Sequence, residues 1–131
     1  MPILGICLGH QAIVEAFGKD ENMEFVGRSK VGPMHGNESK VFHDQETILK
    51  DVPNPLQVIR YHSLSAKSGI LPQDPKVSAI MDDGTIIGAR HKQYLVEGIQ
   101  FHPNHHIPFL YNFFITLVEL CSQLKAIVSY L

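Results

Sequence analysis

The sequence contains no tryptophan, only two cysteines and 8% aromatic residues, and neither sign of charge dominates, since 11 Lys and Arg stand against 13 Asp and Glu. Each scarcity excludes something. Cys7 and Cys121 lie at opposite ends of the chain, and one of them falls in an apolar segment, so a disulfide framework is not expected and a reducing compartment is. A net charge of −2 with no run of Lys or Arg excludes a surface built for nucleic-acid backbones or anionic lipids. No basic segment precedes an apolar stretch at the start, because Met1 runs straight into Pro2-Ile3-Leu4, so no secretory leader is expected and the cytoplasm is the expected location. Nor is there an uninterrupted apolar run of bilayer length. Residues 107–131 are rich in Phe, Leu and Ile but broken by Asn112, Glu119, Gln123 and Lys125, the pattern of a buried closing helix that does not span a membrane. What is present is 44% hydrophobic residues in a chain of 131, enough for one core and too few for two, so a single domain over 1–131 is expected.

Pro2-Ile3-Leu4-Gly5-Ile6 is a short apolar run of the kind that forms a strand buried on both faces. Residues 10–17 follow with helical spacing, which predicts Ala12, Ile13, Ala16 and Phe17 on the buried face and a stop at Gly18. Loose alternation over 24–43, broken by glycines and Pro33, predicts short antiparallel strands at the edge of the main sheet. Further strands are expected at 57–61, 77–81, 86–90 and 95–101, the middle pair joined by an Asp82-Asp83-Gly84 turn.

Gly5-Ile6-Cys7-Leu8-Gly9 sets a nucleophilic residue between small ones at a strand-to-helix junction, the grammar of a nucleophile elbow with Cys in place of Ser, and on so sharp a turn a side chain at either glycine is expected to collide with neighbouring backbone. At that junction Cys7 would project from the strand's carboxyl end at a helix N-terminus, where a thiolate is favoured and the Leu8 N–H can donate to an oxyanion. The same pattern also fits a small buried hydrophobe in a tight turn. A thiol nucleophile needs a base, and eight histidines are available. Position selects His102, which follows Gly98-Ile99-Gln100-Phe101 at a strand's carboxyl end, where open α/β sheets build their sites. His102, His105 and His106 form no metal set, because no second group of ligands at suitable spacing lies nearby, and no cofactor is expected.

Taken together, the segments 5–13, Met34-His35-Gly36, Arg60-Tyr61-His62-Ser63-Leu64 and Glu97-Gly98-Ile99-Gln100-Phe101-His102-Pro103 resemble the class I glutamine amidotransferases. With Ile87-Gly88-Ala89-Arg90-His91-Lys92, they look like the glutaminase component of anthranilate synthase, especially its fungal form, with the aminodeoxychorismate synthase glutaminase as near neighbour. The resemblance implies an α/β, flavodoxin-like, mostly parallel sheet. It implies that Cys7 attacks the glutamine side-chain amide, that His102 carries the proton to ammonia, and that Gln11, Ser63 and Leu64 hold glutamine. The implied partner is a chorismate-using synthase, as a subunit or a fused domain. Two departures accompany it. Asn104 stands where the family has a Glu that orients the histidine, and strands and a glycine-containing loop that precede the elbow in the family are not found before Cys7. The expected fold therefore lacks its N-terminal strands. A partner-binding remnant with impaired catalysis, or an unrelated cysteine hydrolase on the same elbow, are the competing readings.

Overall fold

The computed structural model describes residues 2–18, 23–30, 32–67, 74–102 and 127–129. Strand β1 (Ile3–Ile6) enters helix α1 (Leu8–Phe17) through Cys7 alone, and the chain then builds β2 (Val26–Arg28), β3 (Met34–His43), β4 (Leu56–His62), β5 (Leu64–Ala66), β6 (Lys76–Met81), β7 (Ile86–Arg90), β8 (Val96–Ile99) and β9 (Ile127–Ser129). The strands lie in the order β4-β3-β6-β7-β8-β1-β9, with the β2–β5 pair joined to β7 through Ala66 and Ile86. The sheet is mixed. The parallel character expected of it is confined, among the described residues, to β1 with its neighbours β8 and β9, while the other pairings are antiparallel.

Adjacent residues of a strand point to opposite faces, and β8 shows what covers each. Gly98 faces α1, where an added Cβ would lie 2.9 Å from the Cα of His10. Glu97 faces the other way, toward Thr47, at the head of a 3₁₀ turn (Thr47–Leu49) in the chain connection from β3 to β4. On the α1 face, Val14 packs with Phe25, Ala66, Ile86 and Ala89, and on the opposite face Ile48 and Leu49 pack with Leu4, Ile6 and Ile99. Each of the Val, Leu, Ile and Phe side chains among them, fully buried, is worth roughly 1.5–3 kcal/mol.

The connection carrying the 3₁₀ turn is clamped by charge. Arg90 bonds the carboxylates of Asp44 and Glu46, the second at 3.0 Å, and its Nε lies 3.8 Å from Glu97 Oε1. Lys76 approaches the same two acids at 3.4 and 3.5 Å. The Thr47 hydroxyl donates to Glu97 Oε2, and burial pushes the Glu97 carboxyl up to about 7 against the opposing pull of Thr47 and Arg90. Gln45, Thr47 and Asp51 all take positive φ, and for β-branched Thr47 that conformation is unfavourable unless contacts such as this one hold it.

Three expectations are corrected here. The buried residues of α1 are His10, Gln11, Ile13 and Val14, so the helix is rotated from the face predicted; Ala12 and Ala16 are not among them, because the two polar residues turn inward to meet β8 and its continuation. The tight approach expected at both elbow glycines holds for Gly5, whose Cβ would sit 2.4 Å from the Gly9 backbone, but a Cβ at Gly9 would meet nothing. The closing helix expected over 107–131 is contradicted where the structure describes it. Ile127–Ser129 runs parallel to β1 on the side away from β8, a short β-branched run whose propensity suits a strand. Residues 103–126 and 130–131 lie outside the described residues. Among the described residues, no helix is long and apolar enough to cross a membrane.

Candidate active site

Cys7 takes φ 54° and ψ −105°, a conformation that L-residues rarely adopt. Its two ends are fixed, because its N–H donates to the Ile99 carbonyl at 2.9 Å and its carbonyl accepts from Gln11 N–H at 3.2 Å. The first bond continues the β1–β8 ladder and the second opens α1, so the bend between them must be taken up by Cys7 itself. Backbone held in such a region costs of order 1–3 kcal/mol and persists where its surroundings over-determine it. Here Gly5 permits the close return of α1 over β1, and Gly98 permits α1 to lie against β8.

The thiol is partly exposed and faces a buried amide, with Gln100 Nε2 lying 3.5 Å from Sγ. Gln100, 1% exposed, accepts through Oε1 from Gln11 Nε2 at 2.9 Å, and Gln11 Nε2 also donates to the Leu64 carbonyl at 3.4 Å. His62 Nδ1 lies 3.1 Å from that same carbonyl. Gln11 and Leu64, expected at the site, are therefore joined to Cys7 through Gln100, a residue that sequence reasoning did not single out. A glutamine at a strand end reads as a surface amide, and the signal that could have found it was its place two residues before His102 on the strand aligned with β1.

Leu8 is the first residue of α1, where a helical N–H has no partner four residues back, and its side chain is exposed. Ser63 is exposed between β4 and β5, and its carbonyl accepts from Ser29 N–H at 3.0 Å. Its hydroxyl makes no hydrogen bond among the described residues. His102 lies beyond β8, exposed, and makes no hydrogen bond to Cys7 among the described residues. Asn104 falls outside the described residues. No group of acids, histidines and cysteines suited to a metal occurs among the described residues.

Two further motifs meet beside this centre. Met34 pairs with His62 and His35 with Tyr61 across β3 and β4, so Met-His-Gly and Arg-Tyr-His-Ser-Leu form one antiparallel ribbon end, with a register shift at Gly36. Arg60 is buried and pairs with Asp83 at 2.5 Å. Burial works to raise the Asp83 carboxyl, but hydrogen bonds from Thr85 and Arg60 outweigh it and hold the group below its ordinary value. Burial lowers the His62 imidazole, and the Arg60 charge lowers it further against the Leu64 carbonyl and Asp83. Burial lowers His10 to about 4; the Gly98 backbone opposes this without reaching hydrogen-bond geometry, and both His10 ring nitrogens lack a partner. The wall behind Cys7 thus holds neutral imidazoles and neutral amides near pH 7.

A family model described as glutamine amidotransferase class-I matches residues 1–109. Anthranilate synthase component 2 of Methanocaldococcus jannaschii is 53% identical over 104 residues, covering 79% of this chain and 49% of that protein. A multifunctional tryptophan biosynthesis protein of Phycomyces blakesleeanus is 47% identical over 79% of this chain and 13% of its own length. Aminodeoxychorismate synthase component 2 of Escherichia coli is 45% identical over 79% of this chain and 52% of its own. Among solved structures, a Thermoplasma acidophilum protein assigned to GMP synthase superposes with TM-score 0.77 at 27% identity, covering 95% of this chain and 59% of that one. The chain spans about half the length of the component 2 relatives it matches. With the elbow, its neighbouring strand and four separated motifs in their places, the chain belongs to the class I glutamine amidotransferase family.

Proposed function

We propose that this chain is a glutamine-hydrolysing module that supplies ammonia to a chorismate-using synthase, with anthranilate synthase as the first candidate partner. The observation that carries the reading is Cys7 itself, held at φ 54° between a strand and a helix with its sulfur against the Gln100 amide. In this reading His102 takes the Cys7 thiol proton as Sγ adds to the side-chain amide carbon of glutamine, and the oxyanion forms against the Leu8 N–H at the head of α1. The C–N bond then breaks, His102 gives the departing nitrogen its proton, and a γ-glutamyl thioester remains. Water attacks the thioester, His102 takes the water's proton, and glutamate leaves as the thiol is restored. Gln11 spends both of its N–H groups inside the protein, which leaves its carbonyl oxygen to accept from the substrate. Ser63 and Leu64, exposed at the junction of β4 and β5, supply the rim. A free catalytic thiol calls for a reducing compartment, which favours the cytoplasm.

One specific observation favours a second reading, a partner-binding remnant without turnover. His102 is exposed and unbonded to Cys7, and Asn104 stands at the position of the family's orienting Glu, where it cannot offset imidazolium charge. Glutamate release by the chain, measured with and without the chorismate-binding component of anthranilate synthase, separates the two. Release that rises when that component is added supports the glutaminase reading, and a stable complex that releases no glutamate supports the remnant. Replacing it with the aminodeoxychorismate synthase counterpart tests which product the ammonia serves.

A further inference from the structure

We infer that Gln100 is a positioning residue for the nucleophile, the middle member of an amide relay whose fixed polarity presents an N–H to the Cys7 sulfur. The polarity follows from one end. A backbone carbonyl can only accept, so Gln11 must offer its NH₂ to Leu64, as it does at 3.4 Å. Its second N–H then points at Gln100 across 2.9 Å, which requires Gln100 to offer its carbonyl oxygen there. The remaining end of Gln100, its NH₂, lies 3.5 Å from Sγ. Flipping either amide would set two donors or two acceptors against each other in a place from which water is excluded, since Gln100 is 1% exposed.

The chemical consequence lies at sulfur. A donor locked in this direction holds the sulfur in one orientation, and a thiolate accepts such a bond more strongly than a thiol does. The relay also links the nucleophile to the β4–β5 junction, because Leu64 presents its carbonyl to Gln11 while its side chain is exposed there. Gln100 needs no contact with glutamine to do this. The inference rests on the proposed role of Cys7, but the state of its sulfur can be read without any glutamine chemistry.

The test is the rate of Cys7 alkylation by iodoacetamide as a function of pH, followed by peptide-resolved mass spectrometry on the full chain. The variants are Gln100→Glu, which sets an anionic acceptor against sulfur, and Gln100→Met, which removes the donor without adding charge. The expected result is a fall of about tenfold or more at pH 7 for Gln100→Glu, from loss of a charge-assisted bond and added repulsion, with the profile moved to higher pH. Gln100→Met should move it the same way by less. If Gln100→Glu does not fold, the Gln100→Met profile decides. Profiles that coincide with the parent, or rates lowered equally at every pH, would overturn the relay and leave Gln100 a packing residue. In parallel, the parent is treated with a glutamine-analogue electrophile. Absence of that labelling with an altered Gln100→Glu profile would sink the glutaminase reading while sparing the relay.

Discussion

The two ends of β8 bury polar groups in opposite ways. At its carboxyl end the buried groups beside Cys7 are amides and imidazoles, Gln11, Gln100, His10 and His62, with both His10 nitrogens and His62 Nε2 unpartnered. At its amino end Glu97, whose Oε1 also lacks a hydrogen-bond partner, lies beside a charged cluster of Arg90, Asp44, Glu46 and Lys76, and that cluster ties down the connection between β3 and β4. The first arrangement is built mainly of uncharged, directional groups, with the Arg60–Asp83 pair as its ionic neighbour, and it suits the orienting role proposed for it. The second is ionic and locks a covering segment onto the core. Titration should expose the contrast, because His10 is pushed down to about 4 and Glu97 up to about 7.

The largest expected effect that would sharpen this contrast is at the carboxyl end. Cys7→Ser should lower glutamate release by about 10⁴-fold or more, as loss of a nucleophile does elsewhere, while thermal unfolding stays within a few degrees of the parent. Next comes backbone approach. Gly5→Ala and Gly98→Ala should each cost about 2–3 kcal/mol or more by overpacking against the Gly9 backbone and His10, whereas Gly9→Ala should be neutral or stabilise by up to about 1 kcal/mol, as read by denaturant melts. Equal losses at Gly5 and Gly9 would contradict the packing described.

The pH dependences follow and carry opposite signs. Glu97 has a folded pKa raised above its unfolded value, so the native state holds its proton longer. The stability this contributes is full below about 4.5 and is lost as pH rises to about 7, at roughly 1.4 kcal/mol per pH unit at most. His10 has a folded pKa below its unfolded value, so its contribution is present above about 6.5 and lost as pH falls toward about 4. Denaturant midpoints across pH 4–8 should therefore lose their alkaline decline in Glu97→Gln and their acid decline in His10→Asn; unchanged curves in both variants would break the comparison. The smallest effect belongs to the exposed Lys67–Glu24 pair at 3.7 Å, where Glu24→Gln should change stability by less than about 0.5 kcal/mol.

The elbow was legible in the sequence because its requirements are local, with an apolar strand, a small residue and an amphipathic start within a dozen positions. The antiparallel strands were legible from alternation and from the Asp82-Asp83-Gly84 turn, and β6 and β7 fall where expected. The phase of α1 was not, because periodicity counts apolar residues, and this helix buries His10 and Gln11 in their place. Gln100 and the Thr47–Glu97 contact were hidden for a related reason. Gln100 meets Cys7 across 93 residues of chain and Thr47 meets Glu97 across 50, and no local pattern marks a polar residue that tertiary contact will bury. The strand at Ile127–Ser129 was masked by a helical spacing of apolar residues that outweighed its short β-branched run.

Whether Cys7 is a nucleophile in a glutamine-reading site is read by mass spectrometry of the chain after treatment with a glutamine-analogue electrophile, with and without a synthase partner. The expected result is a selective adduct on Cys7 that excess glutamine prevents. A folded chain with no adduct in either condition, or with Cys121 labelled as readily as Cys7, would contradict it.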